Sequence, residues 1–393
     1  MVKAAILGIG TVGGGTAEVL TKNRELIARR AGQEIELKYI LCRSPRPGHP
    51  FESLIVHDID TIVSDGEVKV VAECIGGATL AYEYVKACLE AGKNVVTSNK
   101  ELVATHGREL LEIAREKNVN YLFEASVGGG IPVLRPLFQC LAGNEIEEIY
   151  GILNGTTNYI LTRMVKGGIS FADALKEAQA KGYAEKDPTA DVEGIDAGRK
   201  ICILSDLAWG KEVSPAEISM EGISSIHLKD VDIAAAAGYR IKLLGRALRL
   251  EGGRQAAYVA PHLVSESCPI ATVDDVFNGI MIRGNAVGDV MFYGRGAGDL
   301  PTASAVMGDV IDAIQHRAKR RDLGWSQGAD LVAAADLPMR WYLRGDFSLD
   351  DARTVCGQAE ELAQGAVITG TMTEMEAKAA AEKLGAVSML RVL

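Results

Sequence analysis

Short apolar runs alternate with helix-period segments along the first 130 residues of the chain. Five runs are rich in β-branched residues and lack polar alternation, which is typical of strands in a sheet covered on both faces. These runs are Lys3–Leu7, Leu37–Leu41, Val68–Glu73, Asn94–Thr97 and Tyr121–Glu124. The segments between them include Val12–Arg30, Leu80–Ala91 and Arg108–Lys117. This β-α-β rhythm predicts an α/β fold with a doubly wound parallel sheet.

The pattern changes after about residue 134. Helical periodicity dominates 156–210, and strands are predicted at Tyr239–Leu250, Ala256–Leu263 and Val287–Tyr293. Residues 300–322 again have a helical pattern, and we expect them to pack on the first domain. The last stretch alternates strand and helix over Arg340–Leu343, Asp350–Gln364, Ala366–Thr371, Glu374–Leu384 and Val387–Val392. The predicted domains are a nucleotide-binding domain (1–133, completed by 300–325), an α+β substrate and dimerisation domain (134–299) and a small βα segment (338–393).

Composition narrows the class of protein. The chain has 393 residues, 48% of them hydrophobic and 24% charged, and its formal net charge is −10. No basic stripe is present, so we expect no nucleic-acid partner. No apolar stretch is long enough to cross a bilayer, so we expect no membrane span. The seven cysteines contain no CxxC pair, which disfavours a zinc site or a disulfide framework and fits a reducing cytoplasm.

A glycine-rich turn follows the first predicted strand. Gly8, Gly10 and Gly13 fit the G-x-G-x-x-G pattern, which indicates dinucleotide binding when it follows a strand and opens a helix, as here. Gly8 permits the tight turn, Gly10 lets the backbone approach a pyrophosphate, and Gly13 lets helix and strand pack closely. We therefore predict a Rossmann-type sheet with a dinucleotide cofactor.

The end of the second predicted strand bears on which cofactor is used. NAD-preferring sites usually carry an acid there to hold the ribose hydroxyls, but this chain reads Leu41-Cys42-Arg43-Ser44. Arg43 could meet a 2′-phosphate, or it could be an exposed loop charge. We favour NADP and leave use of NAD open.

Two further turns follow predicted strands. Lys100 lies just beyond Asn94–Thr97, where groups at the carboxyl ends of parallel strands face the ligand crevice, although a lysine opening a helix is also commonly solvated. The second turn, Glu124–Pro132, contains three glycines. Its exposed carbonyls and its one carboxylate could hold a hard monovalent cation, but a flexible connection is equally compatible with the sequence.

Residues 151–200 contain several side chains that are candidates for catalysis or substrate binding. The turn Asn154–Asn158 places hydroxyls and amides at a helix N-terminus, which suits both capping and carboxylate binding. Asp196 and Lys200 are four apart and share one helix face, above an apolar stripe. Such a pair is either a surface salt bridge or a buried proton-transfer site, because desolvation lowers the pKa of a lysine. Glu185 and Asp191 could hold an ammonium group.

At these residues the chain resembles the homoserine dehydrogenases. The matching blocks extend over residues 1–322 in the expected order: GIGTVGGG, NVVTSNKELVA, FEASVGGGIPVLRPL, GILNGTTNYIL, GYAEKDPTADVEGIDAGRK and YGRGAGDLPTASAVMGD. The resemblance implies reversible reduction of L-aspartate 4-semialdehyde to L-homoserine with NADPH or NADH, in threonine, methionine and isoleucine biosynthesis. It also implies a monofunctional chain, without a kinase domain. Apolar strands in the second domain favour a homodimer or homotetramer.

The resemblance also implies roles for matched positions. Lys200 is similar to the family's proton-transferring lysine, Asp196 to its partner, and Lys100 to a lysine near nicotinamide and substrate. Positions that match substrate contacts are Glu185, Asp191, Tyr183, Gly155 and Thr156. Positions that match cofactor contacts are Thr11, Val12, Arg43, Gly296 and Gly298. Glu124, with the carbonyls of Val127, Gly129 and Ile131, matches a monovalent cation site, commonly sodium, which favours that interpretation of the glycine loop.

The C-terminal segment resembles the small regulatory ACT module that many bacterial members carry. It departs from that module after Arg344, where the chain reads GDFSLDDARTV and lacks the usual Asp-x-Pro-Gly turn. Only one strand is predicted between its two helices, where the module has two. We therefore expect a degenerate ACT-like segment that serves mainly in assembly.

Two alternative functions are open to a chain of this kind. An aspartate-semialdehyde dehydrogenase needs an activated cysteine nucleophile, but Cys140 and Cys202 lie in helical apolar contexts that predict core positions. A nucleotide-sensing regulator could use the same fold without catalysis. The Asp196–Lys200 pair argues against a sensor, which would need neither residue.

Overall fold

The first part of the chain folds into a six-stranded parallel sheet. The structure is a computed structural model that describes residues 1–317, 320–326 and 328–393. The strands of the sheet are β1 (Val2–Leu7), β2 (Ile35–Leu41), β3 (Ile55–Val56), β4 (Val68–Glu73), β5 (Asn94–Thr97) and β6 (Tyr121–Leu122). They lie in the order β3-β2-β1-β4-β5-β6, which confirms the doubly wound sheet. The order reverses between β1 and β4, and ligands bind at such switch points.

The helices of this part are α1 (Thr11–Lys22), α2 (Arg24–Ala31), α3 (Ile59–Val63), α4 (Thr79–Glu90), α5 (Lys100–Glu116) and α6 (Leu134–Gln139). The single helix predicted over Val12–Arg30 is wrong, because the backbone leaves helical geometry at Asn23 (φ −104°, ψ 19°). Helix α5 begins eight residues before its predicted start at Arg108. The Asn99 side chain caps it there by accepting a hydrogen bond from the Leu102 amide.

The second part of the chain begins with one strand and four successive helices and ends with four successive strands. Its strands are β7 (Ile146–Ile152), β8 (Ser219–Met220), β9 (Tyr239–Arg249), β10 (Gln255–Ser265), β11 (Phe277–Gly284) and β12 (Gly288–Arg295). Its helices are α7 (Gly155–Gly167), α8 (Phe171–Ala180), α9 (Thr189–Val192), α10 (Ile195–Trp209) and α11 (Leu228–Ala236). Strand β7 was not predicted because its polar Glu148 is buried, where it pairs with Arg246 (2.6 Å) and Arg283 (3.0 Å).

Helix α12 (Asp299–Gln315) follows β12. It packs on α1 and β5, which confirms the expected return to the first sheet. The predicted helical segment 300–322 continued further, but the helix ends at Gln315, and positions 318–319 lie outside the described residues.

The C-terminal segment contains β13 (Arg340–Arg344), α13 (Leu349–Cys356), β14 (Ala359–Ala363), β15 (Ala366–Thr369), α14 (Glu374–Leu384) and β16 (Ser388–Val392). The prediction of one strand between its helices is wrong. Gly357, with φ of 75°, ends α13 early, and the following residues form the edge strand β14. The β-α-β-β-α-β order and the strand order β16-β13-β15-β14 are those of a ferredoxin-like unit.

One sheet joins this segment to the second part of the chain. Its strands lie in the order β12-β11-β7-β9-β10-β16-β13-β15-β14, and β8 also pairs with β10. Strand β16 runs parallel to β10, with Arg391 opposite His262. The Arg344 guanidinium reinforces the junction through two bonds, of 2.5 and 3.0 Å, to the buried Asp230 carboxylate of α11.

The contacts divide the chain into two units. One comprises Met1–Gly143, Ile203–Ser214 and Gly294–Gly328, and the other comprises Asn144–Cys202, Pro215–Tyr293 and Ala329–Leu393. The three predicted domains, 1–133, 134–299 and 338–393, stay predictions. Within the described ranges, no helix is both long and apolar enough to cross a membrane.

Candidate active site

The glycine turn between β1 and α1 has the geometry that its motif predicts. Gly8 adopts a φ of 94°, and a Cβ there would lie 3.0 Å from the Cys74 carbonyl oxygen. A Cβ on Gly13 would lie 2.0 Å from the Gly8 carbonyl oxygen, so only glycine lets α1 pack against this turn. A Cβ on Gly10 would meet nothing within 4 Å, so open space faces the first turn of α1, where Thr11 and Val12 lie. A phosphate fits at such a helix end.

A cavity of about 260 Å³ adjoins this turn. Gly8 and Gly10 line it on one side, and Arg43, Ser44 and Arg46 line it at the end of β2. Two guanidinium groups and a hydroxyl suit a phosphorylated ribose, and this donor set fits a dinucleotide that carries an additional phosphate.

The carboxyl ends of β4 and β5 are joined by a buried carboxylate that the sequence reasoning missed. Glu73 is fully buried and accepts hydrogen bonds from the Ile75 amide (2.6 Å) and the Thr97 hydroxyl (2.5 Å). The Thr97 hydroxyl in turn accepts from the Asn99 amide (2.9 Å). Burial raises the pKa of Glu73. This network holds the turn from which Lys100 opens α5, half-buried at the predicted edge of the sheet.

The glycine loop after β6 lies beside a buried acid. The Glu124 carboxylate accepts from the Val133 (2.7 Å), Leu134 (2.9 Å) and Arg135 (2.7 Å) amides, and burial raises its pKa. It therefore stabilises the N-terminus of α6. Val127 and Ile131 are buried in the same loop. In the part of the chain that the structure describes, no group of three or more His, Cys, Asp or Glu side chains could hold a metal ion.

The same loop packs on the segment before α12. A Cβ on Gly129 would lie 2.5 Å from the Gly296 carbonyl oxygen, and Gly129 has a φ of 54°. Gly298 precedes α12 with a φ of 125°. Both predicted glycines of this segment thus lie at turns beside the glycine loop.

The second unit contains the predicted lysine and its partner. The Lys200 ammonium lies 2.7 Å from Asp196 Oδ2 and donates a second bond of 2.7 Å to the Leu153 carbonyl. Asp196 and Lys200 are 5% and 7% exposed. A surface salt bridge is therefore the wrong interpretation of this pair.

The turn between β7 and α7 meets this pair. Asn154 Nδ2 donates to Asp196 Oδ2 (2.9 Å) and to Asp191 Oδ1 (2.7 Å), which brings Asp191 to the pair. Burial raises the pKa of Asp191, although the Asn154 bond opposes the shift. Asn154 was predicted only as part of the turn Asn154–Asn158, and its contacts with the two carboxylates were not foreseen.

The remaining predicted substrate residues are arranged more loosely. A Cβ on Gly155 would lie 2.8 Å from the Val276 carbonyl oxygen, so the turn requires glycine. The Thr156 hydroxyl donates to the Tyr183 carbonyl (2.7 Å). The Tyr183 side chain is exposed, and Glu185 lies on the exposed loop that follows it.

The two cysteines predicted to lie in the core differ in burial. Cys140 is exposed, so its predicted core position is wrong, whereas Cys202 is buried in α10 as predicted. No cysteine among the described residues takes part in a disulfide.

The chain matches two models of one protein family and a relative of known name. A family model described as "Homoserine dehydrogenase" matches residues 132–311, and one described as "Homoserine dehydrogenase, NAD binding domain" matches residues 8–124. A homoserine dehydrogenase of Pseudomonas aeruginosa is 48% identical over 315 residues, which are 80% of this chain and 72% of that protein.

Solved structures give the same grouping. A crystal structure of a homoserine dehydrogenase from Thiobacillus denitrificans is similar with a TM-score of 0.91 and 37% identity, over 100% of this chain and 98% of that chain. A hyperthermophilic archaeal homoserine dehydrogenase in complex with NADPH has a TM-score of 0.65 and 28% identity, over 79% of this chain and 97% of that chain.

Proposed function

This chain belongs to the homoserine dehydrogenase family and is an oxidoreductase with an NAD-binding domain, and from that premise we propose that Asp196 and Lys200 handle the proton in its reaction. The reaction is the reversible reduction of L-aspartate 4-semialdehyde to L-homoserine. The single observation that carries the proposal is the buried 2.7 Å pair of Lys200 with Asp196, anchored on the Leu153 carbonyl. The direct test is Lys200→Ala, which should lower kcat by about 100-fold or more.

The cofactor would supply the hydride of the reaction, and the protein would supply the proton. A bound nicotinamide cofactor supplies the hydride that adds to the aldehyde carbon. Negative charge then develops on the aldehyde oxygen, and the Lys200 ammonium donates a proton or a hydrogen bond to it. Asp196 fixes the position of Nζ. In the reverse direction the neutral Lys200 amine, the form left after proton donation, accepts the hydroxyl proton of homoserine.

The substrate ammonium needs an anionic partner. We assign Asp191 to it, because this residue is half-buried and its Oδ1 is held 2.7 Å from Asn154 Nδ2 within the same cluster. Glu185, Tyr183, Gly155 and Thr156 remain the further proposed substrate contacts. Their support is the shared turn at the start of α7 and the bond from Thr156 to the Tyr183 carbonyl.

Asp191→Asn is expected to lower kcat/KM for homoserine by about 10- to 100-fold, because a hydrogen-bonded charge is lost. The wild-type acid limb should lie above the usual aspartate range, because burial raises the pKa of Asp191 and only the carboxylate binds an ammonium. Because folding raises the pKa of Asp191, its ionisation lowers the free energy of unfolding as pH rises through that pKa. The uncharged side chain of Asp191→Asn avoids this loss, so the melting temperature of the variant should be no lower than that of wild type. The measurements are a pH profile of kcat/KM and a thermal melt.

Asp187→Asn serves as the matched control, because Asp187 lies in the same loop but is exposed and bonds only locally to Thr189 among its described contacts. It should retain kcat/KM within about twofold, as is usual for surface changes. An unchanged acid limb in Asp191→Asn would remove Asp191 from the substrate site.

For the cofactor we propose NADP in preference to NAD. Arg43, Ser44 and Arg46 line the cavity at the end of β2, and the sequence Leu41-Cys42-Arg43-Ser44 places no acid there. The archaeal relative that binds NADPH supports the same choice. Gly8, Gly10, Thr11, Val12 and Gly13 would hold the pyrophosphate, and Lys100 would lie beside the nicotinamide.

Arg43→Ala is expected to lower kcat/KM for NADP⁺ by about tenfold or more, since charge-assisted bonds to phosphate are lost. The value for NAD⁺ should stay within about twofold, because NAD⁺ lacks that phosphate. Homoserine oxidation with both cofactors in parallel measures the ratio. Arg24→Ala, which alters an exposed arginine 3.8 Å from Glu34, is the control. Equal losses with both cofactors would contradict the assignment.

The proposal also covers a cation site, the oligomeric state and the cellular location. We propose a sodium site formed by Glu124 and the carbonyls of Val127, Gly129 and Ile131, supported by the buried carboxylate beside the glycine loop. We propose a homodimer or homotetramer, supported by the apolar strands of the second sheet, with the ACT-like segment serving in assembly or regulation. A cytoplasmic location is supported by the seven cysteines, none of which forms a disulfide in the part of the chain that the structure describes.

A further inference from the structure

One amide group connects the residues proposed to bind the substrate and to move its proton. The two Asn154 Nδ2 hydrogens go to Asp191 Oδ1 (2.7 Å) and Asp196 Oδ2 (2.9 Å), and Asn154 is 5% exposed. We infer that Asn154 is a positioning residue, which sets the distance between the ammonium-binding carboxylate and the Asp196–Lys200 pair. The inference rests on the roles proposed above for those three residues.

The hydrogen bonds of the Asn154 side-chain oxygen fix the orientation of the amide group. Asn154 Oδ1 accepts from the Thr157 amide (2.9 Å) and from the Thr157 hydroxyl (3.0 Å), as the N-cap of α7. Both partners are donors at these distances, so the oxygen faces them and the nitrogen faces the two carboxylates. The start of α7 thereby determines where the N–H groups point.

Only asparagine meets both requirements at this position. Serine and aspartate are equally good N-caps, but neither supplies two N–H donors. Glutamine has the donors on a side chain that is one methylene longer. A cap alone would therefore not require asparagine, whereas a bridge between two carboxylates does.

The bridge acts on both steps of the reaction. Asp196 Oδ2 receives Lys200 Nζ and Asn154 Nδ2 on the same oxygen, so a shift of Asn154 moves the acceptor that holds Lys200. The Asp196 charge adds to burial in raising the pKa of Asp191, and the amide between them donates a hydrogen bond to each carboxylate. The ionisable groups that face Asn154 in the described contacts are Asp191, Asp196 and Lys200.

Asn154→Ser and Asn154→Asp test the inference, because both keep the cap and remove the paired donors. In Asn154→Ser, kcat should fall about 10- to 100-fold and KM for homoserine should rise, with KM for NADP⁺ unchanged, since two buried carboxylates lose a donor. Asn154→Asp should lose more at alkaline pH and recover partly at lower pH, where the new carboxyl takes up a proton and can donate it. A residue that merely caps a helix would produce neither the KM change nor the altered pH profile.

Ser170→Ala is the matched control, because Ser170 caps α8 through the Asp173 amide and takes no part in the proposed site. It should lower the melting temperature without changing kcat or KM. Retention of kcat and homoserine KM within about twofold in both Asn154 variants would overturn the inference. Losses that only track the folded fraction, measured by circular dichroism, would also overturn it. Lys200→Ala, assayed alongside, separates the outcomes: if it stays active, the proposed proton-transfer role fails first.

Discussion

Lys200→Ala should lower kcat for homoserine oxidation by about 100- to 10,000-fold, the range that general acid–base groups contribute. NADP⁺ should still bind, because the Gly8–Gly13 turn is unchanged. Steady-state kinetics at alkaline pH and a fluorescence titration with NADPH measure the two quantities. Retained turnover would move the proton-transfer role elsewhere, with Lys100 as the first candidate.

The design must allow for the charge that the substitution leaves behind. Removing one member of a buried pair costs about 3–5 kcal/mol of stability, because Asp196 would stay buried without its cation. The double variant Lys200→Met with Asp196→Asn removes both charges and keeps their volume, so it should fold and stay inactive. Lys22→Ala, from the exposed i,i+4 pair with Glu18, should keep full activity.

The second large effect is expected from Gly13→Ala. Its Cβ would lie 2.0 Å from the Gly8 carbonyl oxygen, a backbone atom that can move only if β1 and α1 separate. Overpacking of this kind usually costs about 1–3 kcal/mol and more against backbone, so we expect a lower melting temperature and at least tenfold weaker NADPH binding. Thermal unfolding and a binding titration are the measurements.

Gly14→Ala is the control for this change. Gly14 lies on the same helix, and an added Cβ would meet nothing within 4 Å. Alanine should therefore stabilise α1 by about 0.5–1 kcal/mol relative to glycine and leave NADPH binding intact. Equal behaviour of the two variants would show that close packing at Gly13 is not what the motif requires.

Sequence predicted those elements whose local signals agree with their surroundings. Strands β4 and β5 have their predicted bounds, since both are apolar runs in a covered sheet. Helix α14 also has its predicted bounds, because a capping box from Thr373 to Glu376 begins it and Gly385 ends it.

Elements were missed where distant partners decide the structure. Strand β7 carries the buried Glu148, which only its arginine partners on β9 and β11 make acceptable inside a sheet. Strand β14 has the composition AEELA, which favours a helix, yet it pairs with β15. Intrinsic propensity is weaker than tertiary pairing in both segments.

The same distinction holds for the site. Asp196 and Lys200 are four residues apart on one helix, so their contact follows from helical spacing. The bonds from Asn154 to Asp191 and Asp196 join residues 37 and 42 positions apart, and no local pattern encodes them. Glu73 was missed for the same reason, because its partner Thr97 lies on the next strand.

The most direct test of the central claim is a single-turnover measurement. NADPH oxidation on mixing with L-aspartate 4-semialdehyde is followed by stopped flow, for wild type and Lys200→Ala, so that slow product release does not mask the chemical step. We expect a rate at least about 100-fold lower in the variant at saturating NADPH. A rate within about threefold of wild type, with the variant folded, would contradict proton transfer by Lys200.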